Sequence, residues 1–79
     1  MNAAHLSRLQ RIFREIFDQP SLVITPTLSP AELSEWDSVA MVQIVLATEQ
    51  EFGVRLTTDQ VAGIKNVQSI LAAIEPQGR

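Results

Sequence analysis

Apolar residues recur at three- and four-residue steps along most of this chain, which is the period of an α-helix. Leu6, Leu9, Phe13 and Ile16, joined by Ile12 and Phe17, predict an amphipathic helix over about residues 4–18. Arg11 with Glu15 and Arg14 with Asp18 are spaced for i,i+4 pairs on its polar side. A second periodic run begins at Ser38. Taking about 100° per residue from that serine, Met41, Ile44, Val45, Thr48 and Phe52 share one broad face, while Val39, Val42 and Leu46 share another. A helix that buries one side needs only the first stripe. The second stripe requires either burial on both sides or a docking surface beside Ser38.

Local signals place the ends of the elements. Asp37 suits an N-cap, its carboxylate accepting from the free N–H groups of Val39 and Ala40, and Trp36 with Met41 has the spacing of a hydrophobic staple. Gly53 ends this helix. Thr57-Thr58-Asp59-Gln60 is a capping-box pattern before Val61, and Gly63 follows as a stop, so a very short helix is predicted there. Asn66 can cap a last helix whose stripe is Val67, Ile70, Leu71 and Ile74, with Pro76 beyond it. Residues 19–35 form a long connection holding Pro20, Pro26 and Pro30, with Leu22, Val23, Ile24, Leu28 and Leu33 as apolar pins. Within it, Ser29-Pro30-Ala31-Glu32 predicts one helical turn over residues 30–34. No segment alternates as a strand does. The expectation is an all-α fold, a small up-down bundle of three main helices plus one short helix with a long first loop.

At 79 residues the chain reads as one small domain, residues 1–79 with an ordered core over about 4–75, burying roughly 60% of its surface. It contains no cysteine, so it offers no thiol, disulfide or thiolate metal site of its own. No run is long enough for a membrane span and no signal-peptide layout appears, so a cytoplasmic monomer away from membranes is expected. The formal net charge is −3, and between Gln19 and Val54 there is no Lys or Arg at all. The half containing Ser38 is the acidic half. Nucleic acid, which needs clustered cationic side chains, is therefore excluded as a partner.

Candidate chemistry is confined to the start of the second helix. An anion on Ser38 would lie against the positive end of the helix dipole and near unpaired N–H groups. A nucleophilic serine would need an adjacent base, and the sole histidine, His5, lies near the N-terminus and reads as a surface residue. Asp37, Glu49 and Glu51 are scattered carboxylates that would bind a cation loosely at most. No catalytic residue and no metal site are predicted. Two function classes remain open from the residues: a site for a covalently attached phosphate, or an unmodified helical interaction module in which Ser38 is only part of a cap.

The stretch Asp37-Ser38-Val39, followed by the periodic helix, Thr48-Glu49-Gln50-Glu51-Phe52 and Val54, resembles the modification site and second helix of acyl carrier proteins. The register continues without a gap from Asp37 to Ile74, through Leu56, Ile64 and Val67. The resemblance implies a carrier rather than an enzyme. Ser38 would bear a covalent 4'-phosphopantetheine, attached by a phosphopantetheinyl transferase from coenzyme A with magnesium, and Asp37 would cap the helix and present the serine. The thiol of the arm would hold an acyl or aminoacyl thioester. An acyl- or aminoacyl-loading ligase and downstream transferases or condensing enzymes would then be partners, recognising a patch of Val39, Val42 and Leu46 rimmed by Glu49. Val39 stands where the family has leucine, Trp36 where fatty-acid carriers have glycine, Thr48 where leucine is usual, and Ala40, Gln43 and Gln50 at positions often acidic. These departures point to a dedicated polyketide, peptide-like or amino-acid pathway.

Overall fold

The computed structural model describes residues 3–76. Among them the chain forms four helices and no strand: α1 (Ala3–Ile16), α2 (Ser38–Phe52), α3 (Thr58–Ala62) and α4 (Val67–Ile74). The all-α class and the pattern of three main helices with one short one follow the periodicity.

Side-chain caps start α2, α3 and α4. Asp37 Oδ1 accepts from the Ala40 N–H at 2.9 Å, and Asn66 Oδ1 accepts from the Ser69 N–H at 2.9 Å. At α3 the box is reciprocal: the Gln60 N–H donates to Thr57 Oγ1 at 3.1 Å and the Thr57 N–H donates to Gln60 Oε1 at 2.8 Å. Each such bond satisfies a donor that the helix geometry leaves free. Gly53 closes α2 with φ +64°, a conformation that costs a residue with a Cβ. Asp18 plays the same part after α1 with φ +52°, while the Gln19 N–H reaches the Arg14 carbonyl at 3.0 Å and the Asp18 N–H the Glu15 carbonyl at 3.4 Å. This left-handed turn stops α1 two residues short of the predicted end. At Ser29 the turn is a single one. The Glu32 carboxylate takes both the N–H and the hydroxyl of Ser29, so the serine does not cap in return.

Helices α1 and α2 run antiparallel: Arg8 reaches Glu51 near the end of α2, whereas Ile16 and Phe17 lie beside Asp37 and Val39 at its start. Their facing stripes, Leu9, Ile12 and Phe13 against Ala40, Ile44, Thr48 and Phe52, meet Val67, Ile70, Leu71 and Ile74 of α4 in one buried cluster. Each fully buried large aliphatic or aromatic side chain contributes about 1.5–3 kcal/mol. The Trp36 ring sits edge-on to Phe13 with centroids 5.2 Å apart, anchoring the residue before the α2 cap.

The long first connection is held by backbone as well as by pins. Its Leu28 and Pro26 carbonyls accept from the Val67 and Gln68 N–H groups at 3.0 and 2.8 Å, so the loop completes the cap of α4. Gln10 Oε1 takes the Ile24 N–H and Arg14 Nε donates to the Leu22 carbonyl, fastening the loop to α1. Ile24 and Leu33 are buried, and Leu22 and Leu28 half-buried.

Three expectations are corrected. Val23 is 67% exposed and pins nothing, because neighbours in an extended stretch point to opposite sides and Ile24 takes the inward one. Arg11 and Arg14 do not pair with Glu15 and Asp18; Arg11 joins Arg8 at Glu51 and Arg14 turns to the loop. His5 is not a surface residue. It is 7% exposed, its ring edge-on to Phe52 with centroids 5.3 Å apart, because the first turn of α1 packs over the end of α2.

Candidate functional site

Ser38 is the first residue of α2 and is exposed, and its hydroxyl makes no hydrogen bond with the described residues. The side chain of Asp37 takes the Ala40 N–H, and the Asp37 carbonyl takes the Met41 N–H at 2.9 Å. By position the N–H groups of Ser38 and Val39 have no acceptor inside the helix. They face the start of the helix, where a phosphate oxygen is favoured by both the dipole and the free donors. Ser38 itself is held firmly: buried Trp36 lies two residues before it and buried Ala40 two residues after.

Two shallow grooves flank this point. One, of about 400 Å³, is lined by Pro30, Trp36, Asp37, Ser38 and Met41. The staple expected of Trp36 and Met41 is thus a shared apolar wall beside the serine. The other groove, of about 260 Å³, lies on the far side of Asp37 between Ile16, Phe17, Val39 and Gln43. Pro30, Gln43, Ile16 and Phe17 are site neighbours that the sequence does not point to. They come from elements whose approach only tertiary packing decides.

The second stripe of α2 is on the outside. Val39, Val42 and Leu46 are 68%, 58% and 56% exposed, so of the two explanations for a two-sided apolar helix the structure leaves this side uncovered. Glu49 lies three residues beyond Leu46, half-buried, and its Oε2 accepts from the Leu56 N–H at 2.9 Å. Glu51 accepts from Arg8 Nε at 2.9 Å and from Arg11 at 3.4 Å, and the Arg8 guanidinium also lies 4.3 Å above the Phe52 ring centre. The Arg8 hydrogen bond, with the positive charges of Arg8 and Arg11, holds the Glu51 carboxyl below its ordinary value against a weaker opposing effect of desolvation.

These placements decide what the serine can do. His5 packs on Phe52, fourteen residues along α2 from Ser38, or roughly 20 Å at the helical rise. It cannot act as a base for that hydroxyl. Asp37, Glu49 and Glu51 are likewise not brought together: one caps the helix, one holds the following loop and one pairs with arginines. What remains is a rigidly based, exposed hydroxyl at an anion-favouring helix start, with an apolar strip running away from it. That is the arrangement of a small helical domain built to carry a phosphate-linked group and be handled by other proteins.

Comparison with known proteins gives this class its family. A family profile described as "Phosphopantetheine attachment site" matches residues 7–74. The chain is 34% identical over 70 residues to the acyl carrier protein of Thermobifida fusca, covering 89% of each sequence. It is 36% identical over 62 residues to the acyl carrier protein of Acidothermus cellulolyticus, covering 78% of this chain and 74% of the relative. It is also 29% identical over 70 residues to the meromycolate extension acyl carrier protein of Mycolicibacterium aurum, covering 89% of this chain and 72% of the relative. The chain belongs to the phosphopantetheine-attachment family of acyl carrier proteins. It is a carrier with a covalently attached 4'-phosphopantetheine, and the reading as an unmodified interaction module is not favoured. No helix among the described residues is long and apolar enough to cross a membrane.

Proposed function

We propose that Ser38 is the attachment residue, and that the protein carries an acyl or aminoacyl group between enzymes of a specialised biosynthetic pathway. The observation that carries this is the exposed, unbonded Ser38 hydroxyl at the first turn of α2, inside the segment matched by the family profile. When attached, phosphopantetheine supplies the thiol that a chain without cysteine lacks, and that thiol holds the cargo as a thioester.

The chain's own residues hold and present. Asp37 fixes the first turn of α2 through Ala40 and so sets the direction of the Ser38 hydroxyl. The free N–H groups of Ser38 and Val39 stabilise the phosphodiester charge. Trp36, packed on Phe13, keeps the turn from swinging when the arm is pulled into a partner. Val39, Val42 and Leu46, with Glu49 at the edge, form the patch that partner enzymes cover: a phosphopantetheinyl transferase, a loading ligase, and transferases or condensing enzymes downstream. Tethering raises the effective concentration of the cargo at each of them. A specialised pathway is supported by the likeness to a carrier named for meromycolate extension and by Thr48, a buried hydroxyl in the face that packs the core.

The test is the intact mass of the protein before and after incubation with coenzyme A, magnesium and a broad-specificity phosphopantetheinyl transferase, beside Ser38→Ala. A gain of one phosphopantetheine that the variant lacks is expected. Gain by the variant would move the attachment elsewhere, and no gain by either would favour the interaction module.

A further inference from the structure

The side of α1 turned away from the core gathers positive charge in an otherwise acidic chain. Arg8, Arg11 and Arg14, three of its six Lys and Arg residues, recur at three-residue steps and with Ser7 and Gln10 line a shallow groove of about 340 Å³. Leu9, Ile12 and Phe13 fill the opposite side of the same helix. Among the described residues one carboxylate answers these three guanidinium groups. Glu51 takes Arg8 Nε at 2.9 Å and Arg11 at a looser 3.4 Å, while Arg14 has no ion pair and gives its Nε to the Leu22 carbonyl. The Arg11 side chain is 66% exposed. Glu15, the sole acid of α1, is exposed but does not line the groove. The groove also has an apolar edge. Arg14 holds the Leu22 carbonyl and Gln10 holds the Ile24 N–H, so Val23 lies between two points fastened to the lining, exposed and pinning nothing.

We infer that this groove is a second docking surface, and that it takes an acidic helical segment of a partner protein, with carboxylates on Arg11 and Arg14 and an apolar side chain on Val23. The occupant follows from charge and shape. Guanidinium forks donate to carboxylates in pairs, and from Ser7 to Arg14 the groove runs about 10 Å along α1 at the helical rise, the length of two turns of a facing helix. A small anion in so open a groove would stay in water and be screened by salt, whereas a protein segment covers the groove and brings several charges at once. A nucleic acid would bring its phosphates against a protein whose own net charge is −3. Ser38, Val39, Val42 and Leu46 are not in the lining. The surface therefore stands apart from the carrier site and does not depend on attachment at Ser38. It lets the protein stay tethered to one partner while another enzyme handles the α2 start, which raises the effective concentration of one for the other.

The experiment titrates the full-length, nitrogen-15-labelled protein with a synthetic helical peptide that carries glutamates at every third and fourth position and one leucine, and follows backbone amide shifts by NMR. A peptide with lysine in place of each glutamate and a single-stranded uridine oligonucleotide are run beside it. Shifts are expected at residues 7–14 and 22–24 and not at 38–46, with the glutamate peptide alone. Affinity is expected to fall by at least about tenfold from low to high NaCl. Arg11→Gln and Val23→Ser, both at exposed positions and checked for folding by thermal melting, are each expected to weaken it by at least about threefold. Shifts centred on residues 38–46, no binding at low salt, or both variants binding as the wild type does would overturn the docking surface. Equal binding of the oligonucleotide would overturn the choice of a protein segment as its occupant.

Discussion

Phe52 is the last residue of α2 and packs against the start of α1. Its ring is 1% exposed, with the edge of His5 on it at 5.3 Å and the Arg8 guanidinium 4.3 Å from its centre. Phe52→Ala removes that volume from a packed site and is expected to cost about 3–5 kcal/mol. For 79 residues, at about 0.05–0.15 kcal/mol each, the whole stability is roughly 4–12 kcal/mol, so this variant is expected to lose a large share of it. Phe52→Leu restores most of the volume but not the ring. It forfeits the aromatic pair, worth about 0.5–1.5 kcal/mol, and the cation–π contact, worth about 0.5–1 where the cation is partly exposed. A loss of roughly 1–2.5 kcal/mol follows from those two terms. Urea unfolding followed by far-UV circular dichroism and by the fluorescence of Trp36, the sole tryptophan, measures both variants. Phe52→Ala within about 1 kcal/mol of wild type would refute the packing described.

Asp37→Ala is expected to cost about 0.5–2 kcal/mol by urea unfolding, with Asp37→Asn nearly neutral because the amide oxygen can still accept from Ala40. An Asn variant as weak as the Ala one would count against the cap. Thr48 is wholly buried and its hydroxyl has no hydrogen-bond partner among the described residues, so Thr48→Val is expected to raise stability by about 1 kcal/mol, read as a higher urea midpoint. A lower midpoint would mean that the hydroxyl is satisfied. Because the carboxyl of Glu51 is held below its ordinary value in the folded protein, its pairing contributes stability that is complete above about pH 4.3, the unfolded value, and is lost as pH falls through the folded one. Glu51→Gln is therefore expected to flatten the acid limb of a plot of melting temperature against pH, and an unchanged limb would show that the Arg8 and Arg11 contacts are idle.

What is legible in the sequence is what is local. The caps at Asp37, Thr57 and Asn66 act within three residues, so spacing alone places the starts of α2, α3 and α4. The helical wheel from Ser38 separates Ile44, Thr48 and Phe52 from Val39, Val42 and Leu46, and burial divides them the same way. The misreadings of His5, Arg11 and Arg14 are tertiary. His5 looks exposed when α1 is read by itself, and only the antiparallel packing lays its ring on Phe52, forty-seven positions on. Arg11 and Arg14 have acids four residues away, yet Glu51 and the Leu22 carbonyl prevail because an exposed helical pair is worth only about 0.2–0.5 kcal/mol. The engagement of Glu49 by Leu56 is invisible in the same way. It depends on how the chain turns after Gly53, and it changes what the exposed face of α2 offers to a partner.

The measurement that bears most directly on the central claim is fragment-ion mass spectrometry of the protein after loading with phosphopantetheine. The arm is expected on Ser38 and on no other residue, with no product from Ser38→Ala and with product retained by Ser34→Ala. An arm mapped to any other side chain, or a Ser38→Ala protein that still gains it, would contradict the assignment of the α2 start as the carrier site.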